Sequence, residues 1–404
     1  MADDATVVGA RQRVLEKIDD LADTLISASH QIHAQPELGF KEHLAHELLT
    51  GVLEAEGMDV VRSAYSLETA FEASAGSEGP LIAVLCEYDA LPGIGHACGH
   101  NIIATAGLGA GLAAAAVATE LGGRVRILGT PAEEGGGGKV LMLERGAFDD
   151  VDAALMVHPA DADLRNITSL AVQQIQAVFT GRAAHAAAAP ERGLNALDAA
   201  VLGYMNVAAL RQHIAPEERI HGIFTDAGQR ANIVPERAAA SWYVRSPNRA
   251  GADALAQRVI ACLDAGALAS GCSVSHELIQ PCYNEVRDNQ ALLDRYVANS
   301  VSLGRDVHPT DDHQVVGSTD LGNVSYVVPA IHPMIKTAPM GTAIHTNDFA
   351  AAAISDEADQ AILHGARSMA LTVLDCWADS GVLEAARDEL ASAVAVREGD
   401  PRTT

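Results

Sequence analysis

Basic residues are scarce in this sequence: 27 Lys and Arg stand against 53 Asp and Glu, a net charge of −26 over 404 residues. Phosphate binding needs a basic face whose cations release counterions, and no basic stripe occurs, so no nucleic-acid partner is expected. Acidity of this size favours solubility and makes an Arg near a site more informative. Aromatic residues form only 4% of the chain against 49% hydrophobic residues, with Ala and Gly filling much of it, which suits close packing around a large interior. Six cysteines (Cys86, Cys98, Cys262, Cys272, Cys282, Cys376) make no dense pairing framework. The stretch MADDATVVGARQRVLEK puts acids where a signal peptide needs a basic start and an apolar core. Export by that route is not expected, and a cytoplasmic setting is. The most apolar run, Ile102 to Ala118, is rich in Ala and Gly and directly follows a polar Cys/His cluster. It reads as a buried core helix, and no membrane partner is expected.

Common catalytic templates are missing too. His46-Glu47 and His276-Glu277 lack the second histidine of a His-Glu-x-x-His helix. The Gly135 to Lys139 stretch lacks both the opening Gly and the Ser/Thr after Lys of a phosphate loop, and the glycines at 107, 109 and 111 miss the dinucleotide spacing. No Gly-x-Ser-x-Gly elbow occurs.

At ~150 residues per domain the length allows two or three domains, and two is the working number. Apolar residues recur at helical spacing from Arg11 to His33 and from about Glu42 to Glu56. Three strand-length apolar runs follow, Leu81-Cys86, Val125-Gly129 and Ala153-Val157, with the Ala/Gly-rich helix between the first two. This alternation predicts a doubly wound α/β sheet with helices on both faces. From Ser169 to about Ile279 the pattern becomes βαββαβ, as in an open ferredoxin-like sheet with two helices on one face. The expectation is a discontinuous catalytic domain, 1–170 and 285–404, carrying an inserted domain at 171–284.

Ligands of open α/β sheets collect beyond the carboxyl ends of strands. Here those ends carry Glu87-Tyr88-Asp89 and Gly95-His96-Ala97-Cys98-Gly99-His100-Asn101 after the first run, Thr130-Pro131-Ala132-Glu133-Glu134-Gly135 after the second, and His158-Pro159 after the third. Thiolate, imidazole and carboxylate suit a zinc-like ion, and Cys98-Gly99-His100 offers two ligands from one tight turn. Cys98 or His100 alone reads as a core residue; three strand-end clusters together favour metal. Adjacent strand side chains point to opposite sides, so Glu133 and Glu134 are expected to divide two roles: one on metal, one taking a proton from water. By spacing alone, His345 is no better a candidate than His308, His313 or His332, and Asp311-Asp312-His313 reads as a solvated loop.

These motifs resemble the metallo-amidohydrolases that include aminoacylases, auxin-conjugate hydrolases, aminobenzoyl-glutamate hydrolases and related dipeptidases. The resemblance spans nearly the whole chain and rests on His96-Ala97-Cys98-Gly99-His100-Asn101, Pro131-Ala132-Glu133-Glu134 with Gly135 to Gly138, His158, Gly181-Arg182-Ala183-Ala184-His185 and Ala231-Asn232-Ile233-Val234-Pro235. It implies a zinc-peptidase-like catalytic domain whose insert serves as lid and dimerisation domain. It also implies two divalent ions per chain, Zn or Mn, with Cys98 bridging them, His100 and His158 on one, and Glu134 and His345 on the other. Glu133 would be the general base. His185 would steady the oxyanion in the partner's site of a homodimer, and Asn232 and Arg245 would contact the substrate, a guanidinium suiting a free carboxylate.

Many relatives carry His-x-Asp where this chain has Glu87-Tyr88-Asp89; His100 would take over that ligand's place, with Asp89 orienting the metal shell. Asn101 stands where auxin-conjugate hydrolases usually show Asp, and with the four glycines this points to the aminobenzoyl-glutamate and dipeptidase branch. The expected activity is cleavage of the amide bond of a dipeptide or N-acyl amino acid bearing a free carboxylate. The alternatives are a catalytically silent metal-binding or scaffold relative and, more weakly, a thiol-redox enzyme using Cys98, which has no resolving cysteine nearby.

Overall fold

The computed structural model of the chain describes residues 3–310 and 316–398. They form two compact units, Met1–Thr168 with Val286–Thr404, and Ser169–Glu285.

The first unit is built on a six-stranded sheet. Leu81–Cys86 lies near its centre, parallel to Arg124–Gly129 on one side and Ala153–Leu155 on the other, and Ala330–Ile331 continues the parallel part. Phe71–Ala75 and Val60–Arg62 close the opposite edge antiparallel. Every residue of Leu81–Cys86 is buried. Ile82, Val84 and Cys86 join a core that includes Leu25, Leu108, Ile362 and Trp377. Ala83 and Leu85 join a second core with Leu128, Phe148, Leu321 and Val324. One strand thus feeds two cores through its alternation, which is what doubly wound means physically. The helices Asp4–Ala34, His100–Ala115 and Asp356–Ala378 pack on the first face. His100–Ala115 is buried along all but its last residue, so its apolar character fits a core helix. Among the described residues no helix is long and apolar enough to cross a membrane.

The second unit is a βαββαβ sheet of four antiparallel strands in the order Ser273–Leu278, Ala171–Thr180, Arg237–Ser246, Arg219–Asp226. Phe179, Ala238, Ala240, Trp242 and Val244 form its core with Ala199, Val207, Leu255, Val259 and Leu263 from the helices Ala196–Leu210 and Arg249–Ser270. Asn195 and Asn248 cap those helices through their side-chain oxygens. The helices cover one face only, and Ser241, Tyr243 and Arg245 point to the other.

Candidate metal centre

Three parallel strands of the first unit end on the same side, and the chain beyond each end turns sharply. After Leu81–Cys86 the residues Glu87, Tyr88 and Asp89 stay fully buried. The return to the helix His100–Ala115 passes through Gly99 at φ 76°, where an added Cβ would stand 2.6 Å from Pro159 Cγ. Only glycine fits, and it holds Cys98 and His100 on either side of one turn. After Arg124–Gly129 the backbone enters the left-handed region at Ala132 (φ 58°) and turns through Glu133 and Glu134. After Ala153–Leu155 the chain reaches His158, opposite Met334 in a short parallel pair.

These ends bring together two groups of donor atoms that share Cys98: Cys98 with His100 and His158, and Cys98 with Glu134 and His345, each within 4.8 Å of one another. Cys98 Sγ lies 3.5 Å from His158 Nε2. The His158 Nδ1–H donates to the Pro159 carbonyl at 2.8 Å, which leaves Nε2 as the lone-pair atom facing the sulfur. The His100 ring is set the same way: Nδ1 meets Asp89 Oδ1 at 3.1 Å, and Nε2 is buried without a hydrogen-bond partner. Asp89 Oδ2 also accepts from the Glu134 amide at 2.9 Å, so one carboxylate orients two loops. His345 is a non-glycine residue at φ 63°; its amide donates to the Ala97 carbonyl at 2.8 Å and its Nε2 lies 3.3 Å from Glu134 Oε1. Such backbone conformations concentrate at functional sites.

A third group, Glu87, His100 and Glu133, adjoins the first two. His100 Nε2 is 3.8 Å from Glu133 Oε2 and 3.9 Å from Glu134 Oε1. The neighbouring carboxylates therefore converge on one imidazole, against the expectation that they face apart. Opposed directions belong to extended strand, and here the backbone is a turn.

The electrostatics follow from packing so many polar groups out of reach of water. Burial, reinforced by the Glu134 charge, pushes the Cys98 thiol well above its ordinary value. Burial and the charges of Glu87 and Glu134 raise Glu133 well above the carboxylate range. Burial also opposes ionisation of Glu134, but its hydrogen bond to His345 and the nearby His100 hold it below that range. Burial, with His100 adding to it, lowers His158 to about 4, so this imidazole is neutral. The Cys98 sulfur, the imidazoles of His100, His158 and His345 and the Glu134 carboxylate, with His100 Nε2 buried and lacking a hydrogen bond, form a donor set that suits divalent ions, which the thiol and imidazoles bind once deprotonated.

His185, Asn232 and Arg245 belong to the second unit. His185 is exposed; its Nδ1 accepts from the Ala187 and Ala188 amides at 3.2 and 3.1 Å, and its strand segment bridges to Ile233 beside Asn232. Arg245 is partly buried, with Nε 3.3 Å from His221 Nε2 and its guanidinium 5.6 Å from the Tyr243 ring centre. Of the rivals to His345, His308 lies beside Asp306, His332 packs against the His158 ring at 5.2 Å, and neither belongs to a donor group among the described residues. His313 and its acidic neighbours lie outside the described residues.

By its motif Lys139 belongs only to an incomplete phosphate loop, yet its ammonium is fully buried, paired with Glu87 and with Asp320 Oδ1 at 2.7 Å. The one signal that could have found it is a single cation near the start of the mostly apolar helix Gly138–Glu144, four glycines after a carboxylate pair.

A mixed α/β sheet whose parallel strand ends gather thiol, imidazole and carboxylate donors fits the class of metal-dependent hydrolases. The family description Peptidase family M20/M25/M40 matches residues 83–375, and the chain belongs to that family. It is a hydrolase acting on amide bonds. It is 39% identical over 397 residues to the Xaa-Arg dipeptidase of Mus musculus, covering 94% of this chain and 91% of that one. It is 30% identical over 448 residues to a p-aminobenzoyl-glutamate hydrolase chain of Escherichia coli, covering 93% and 92%. Among solved structures, an aminobenzoyl-glutamate utilization protein from Klebsiella pneumoniae superposes with a TM-score of 0.71 at 18% identity, covering 90% of this chain and 98% of that one. A dinuclear metal-binding peptidase from Bacillus subtilis gives 0.66 at 19%, covering 89% and 99%.

Proposed function

We propose that this chain is a two-metal amidohydrolase that cleaves a dipeptide or an N-acyl amino acid, aminobenzoyl-glutamate-like compounds included, next to a free carboxylate. The observation that carries the reading is the pair of donor groups sharing Cys98, with Glu133 against them. Cys98 would bridge two Zn or Mn ions, with His100 and His158 on one and Glu134 and His345 on the other. Bound there, such ions polarise a carbonyl and acidify water. Glu133 takes the proton from the attacking water and passes it to the leaving nitrogen. Asp89 holds His100 in the tautomer that presents Nε2. Lys139 balances Glu87, so that the acidic floor of the site carries less net charge.

In the second unit, Arg245 and Asn232 would bind the substrate's terminal carboxylate and amide, and His185 would steady the oxyanion in the site of a partner subunit. A homodimer through this unit is supported by the exposed apolar residues Ile223 and Phe224 on its edge strand and Val201, Leu202 and Met205 on its helix. A cytoplasmic location belongs to the same proposal, and the six free thiols suit a reducing compartment.

The test is metal content together with hydrolysis of a panel of dipeptides, N-acyl amino acids and aminobenzoyl-glutamate by the wild type, Glu133→Ala and Cys98→Ala. About two ions per chain, some amide hydrolysed, and a Glu133→Ala variant that keeps metal but loses roughly 10²–10⁴-fold in kcat are expected. A wild type that binds no metal and leaves every amide intact would make the protein a silent scaffold with the same fold.

A further inference from the structure

Ala132 directly precedes Glu133 and Glu134, and its backbone lies in the left-handed region. An L-residue in the left-handed region is disfavoured because its Cβ crowds the following carbonyl, and Ala132 has no polar side chain that could stabilise it locally. Something else must hold it. The Ala132 amide donates to Glu42 Oε1 at 2.9 Å, and the Ala132 carbonyl accepts from the Gly137 amide at 3.0 Å, closing the turn that contains Glu133 and Glu134.

Glu42 is fully buried and well anchored. Its Oε2 accepts from the Thr69 hydroxyl at 2.7 Å, and the Thr69 carbonyl accepts from the Tyr88 hydroxyl at 2.5 Å. Tyr88 directly precedes Asp89, so the network runs from one strand-end loop to the other. Backbone contacts repeat the link. The Ala90 amide donates to the Glu37 carbonyl at 2.8 Å, and the Glu37 carboxylate caps the next helix at the Leu44 and Ala45 amides, 2.9 and 3.1 Å away. A Cβ at Gly39 would stand 2.8 Å from Ala132 Cβ, so the segment lies directly against the turn. Six residues, 37 to 42, thus grip both loops that carry the candidate site. A carboxylate is an expensive way to fill a core, and burying one is sustained only where its acceptors are used.

We propose that Glu42 is a positioning residue for the hydrolytic reaction: it clamps the Ala132 N–H, holds the left-handed turn, and so aims Glu133, while Asp89 holds the Glu134 amide independently. The proposal rests on the reading of Glu133 as the base.

The experiment compares the full-length wild type, Glu42→Ala, Glu42→Gln, Thr69→Val and Glu133→Ala for kcat, KM, metal stoichiometry and cooperative thermal unfolding. Glu42→Ala is expected to fold, keep its metal and KM, and lose roughly 10–100-fold in kcat, the usual scale for a residue that acts through another. Glu42→Gln keeps an amide oxygen for the Ala132 N–H and recovers most of the loss. If Glu42→Ala does not fold, Thr69→Val decides: a smaller kcat loss at unchanged KM and metal content supports the clamp, and wild-type kcat overturns it. Wild-type kcat in Glu42→Ala, or no recovery in Glu42→Gln, also overturns it while Glu133→Ala stays inactive. Wild-type turnover by Glu133→Ala instead removes the base, and the positioning role goes with it.

Discussion

The two units carry their functional candidates in opposite ways. In the first, Cys98, His100, Glu133 and His158 are buried among other polar groups, with Glu134 nearly so, and their orientation is prescribed by partners such as Asp89 and the Pro159 carbonyl. In the second, His185 and Asn232 are exposed, and Arg245 lies at the margin of an ordinary amphipathic sheet whose buried apolar residues serve its own core. Burying a polar group is costly unless its atoms find partners, so the buried donors of the first unit are oriented by contacts within the unit, and of all its donors His345 alone is exposed. Exposed groups carry no such constraint. Their chemistry depends on what they meet, a substrate or a second copy of the chain.

The sharpest way to break this contrast is His185→Ala. An oxyanion-stabilising group is worth about 10²–10³ in kcat, so activity should fall by that much with metal content unchanged. Mixing Glu133→Ala with His185→Ala chains under conditions that let dimers exchange should then restore turnover, because the mixed dimer has one site with both groups intact. No restoration would place the histidine's action within its own chain or nowhere.

A smaller effect is expected from Asp89→Asn, which leaves a side chain of the same shape but without the charge that orients His100. Metal affinity measured by chelator competition should drop about 10–100-fold, whereas equal affinity would show that the buried unit is less tightly prescribed than its hydrogen bonds suggest. Arg245→Lys replaces a planar fork with a point charge. KM for carboxylate-bearing substrates should rise roughly tenfold, with kcat and metal content retained. A fall in kcat at constant KM would count against the substrate-binding role.

The mildest test concerns stability. Burial, with the Asp89 charge second, raises the Glu42 carboxyl from 4.5 to about 7. Between these values the folded chain keeps a proton that the unfolded chain has lost, so this group makes folding less favourable as pH rises through the window. Glu42→Gln does not titrate there. Its stability relative to the wild type, from denaturant midpoints, should climb between those pH values by up to about 3 kcal/mol and then level off. A flat difference would mean that the carboxylate is better solvated by its hydrogen bonds than its burial implies.

Much of the first unit is legible from local pattern. Leu81–Cys86 is a continuous apolar run and Arg124–Gly129 one interrupted by Arg126, and parallel strands that share a direction must deliver the residues after them to one side. Cys98, His100, Glu133 and His158 follow such strands, so their meeting is readable once the strands are placed. The βαββαβ order of the second unit is readable in the same way, from periods of two and 3.6 residues. The first helix runs from Asp4 rather than from Arg11, since Asp3 caps it ahead of the strongest apolar spacing.

What composition and period determined, then, is the inventory of donors, the type of each element and the edge of the sheet where the donors gather, because these depend on neighbours a few residues apart. Tertiary structure alone decided that Glu133 and Glu134 converge, that Lys139 is buried between two carboxylates and that Glu42 grips Ala132, and it brings His345, which the family resemblance implied and spacing did not, rather than His308 or His332 into the donor groups. Each of these depends on a backbone angle in a turn or on a contact between residues far apart in the chain, and neither leaves a period in the sequence.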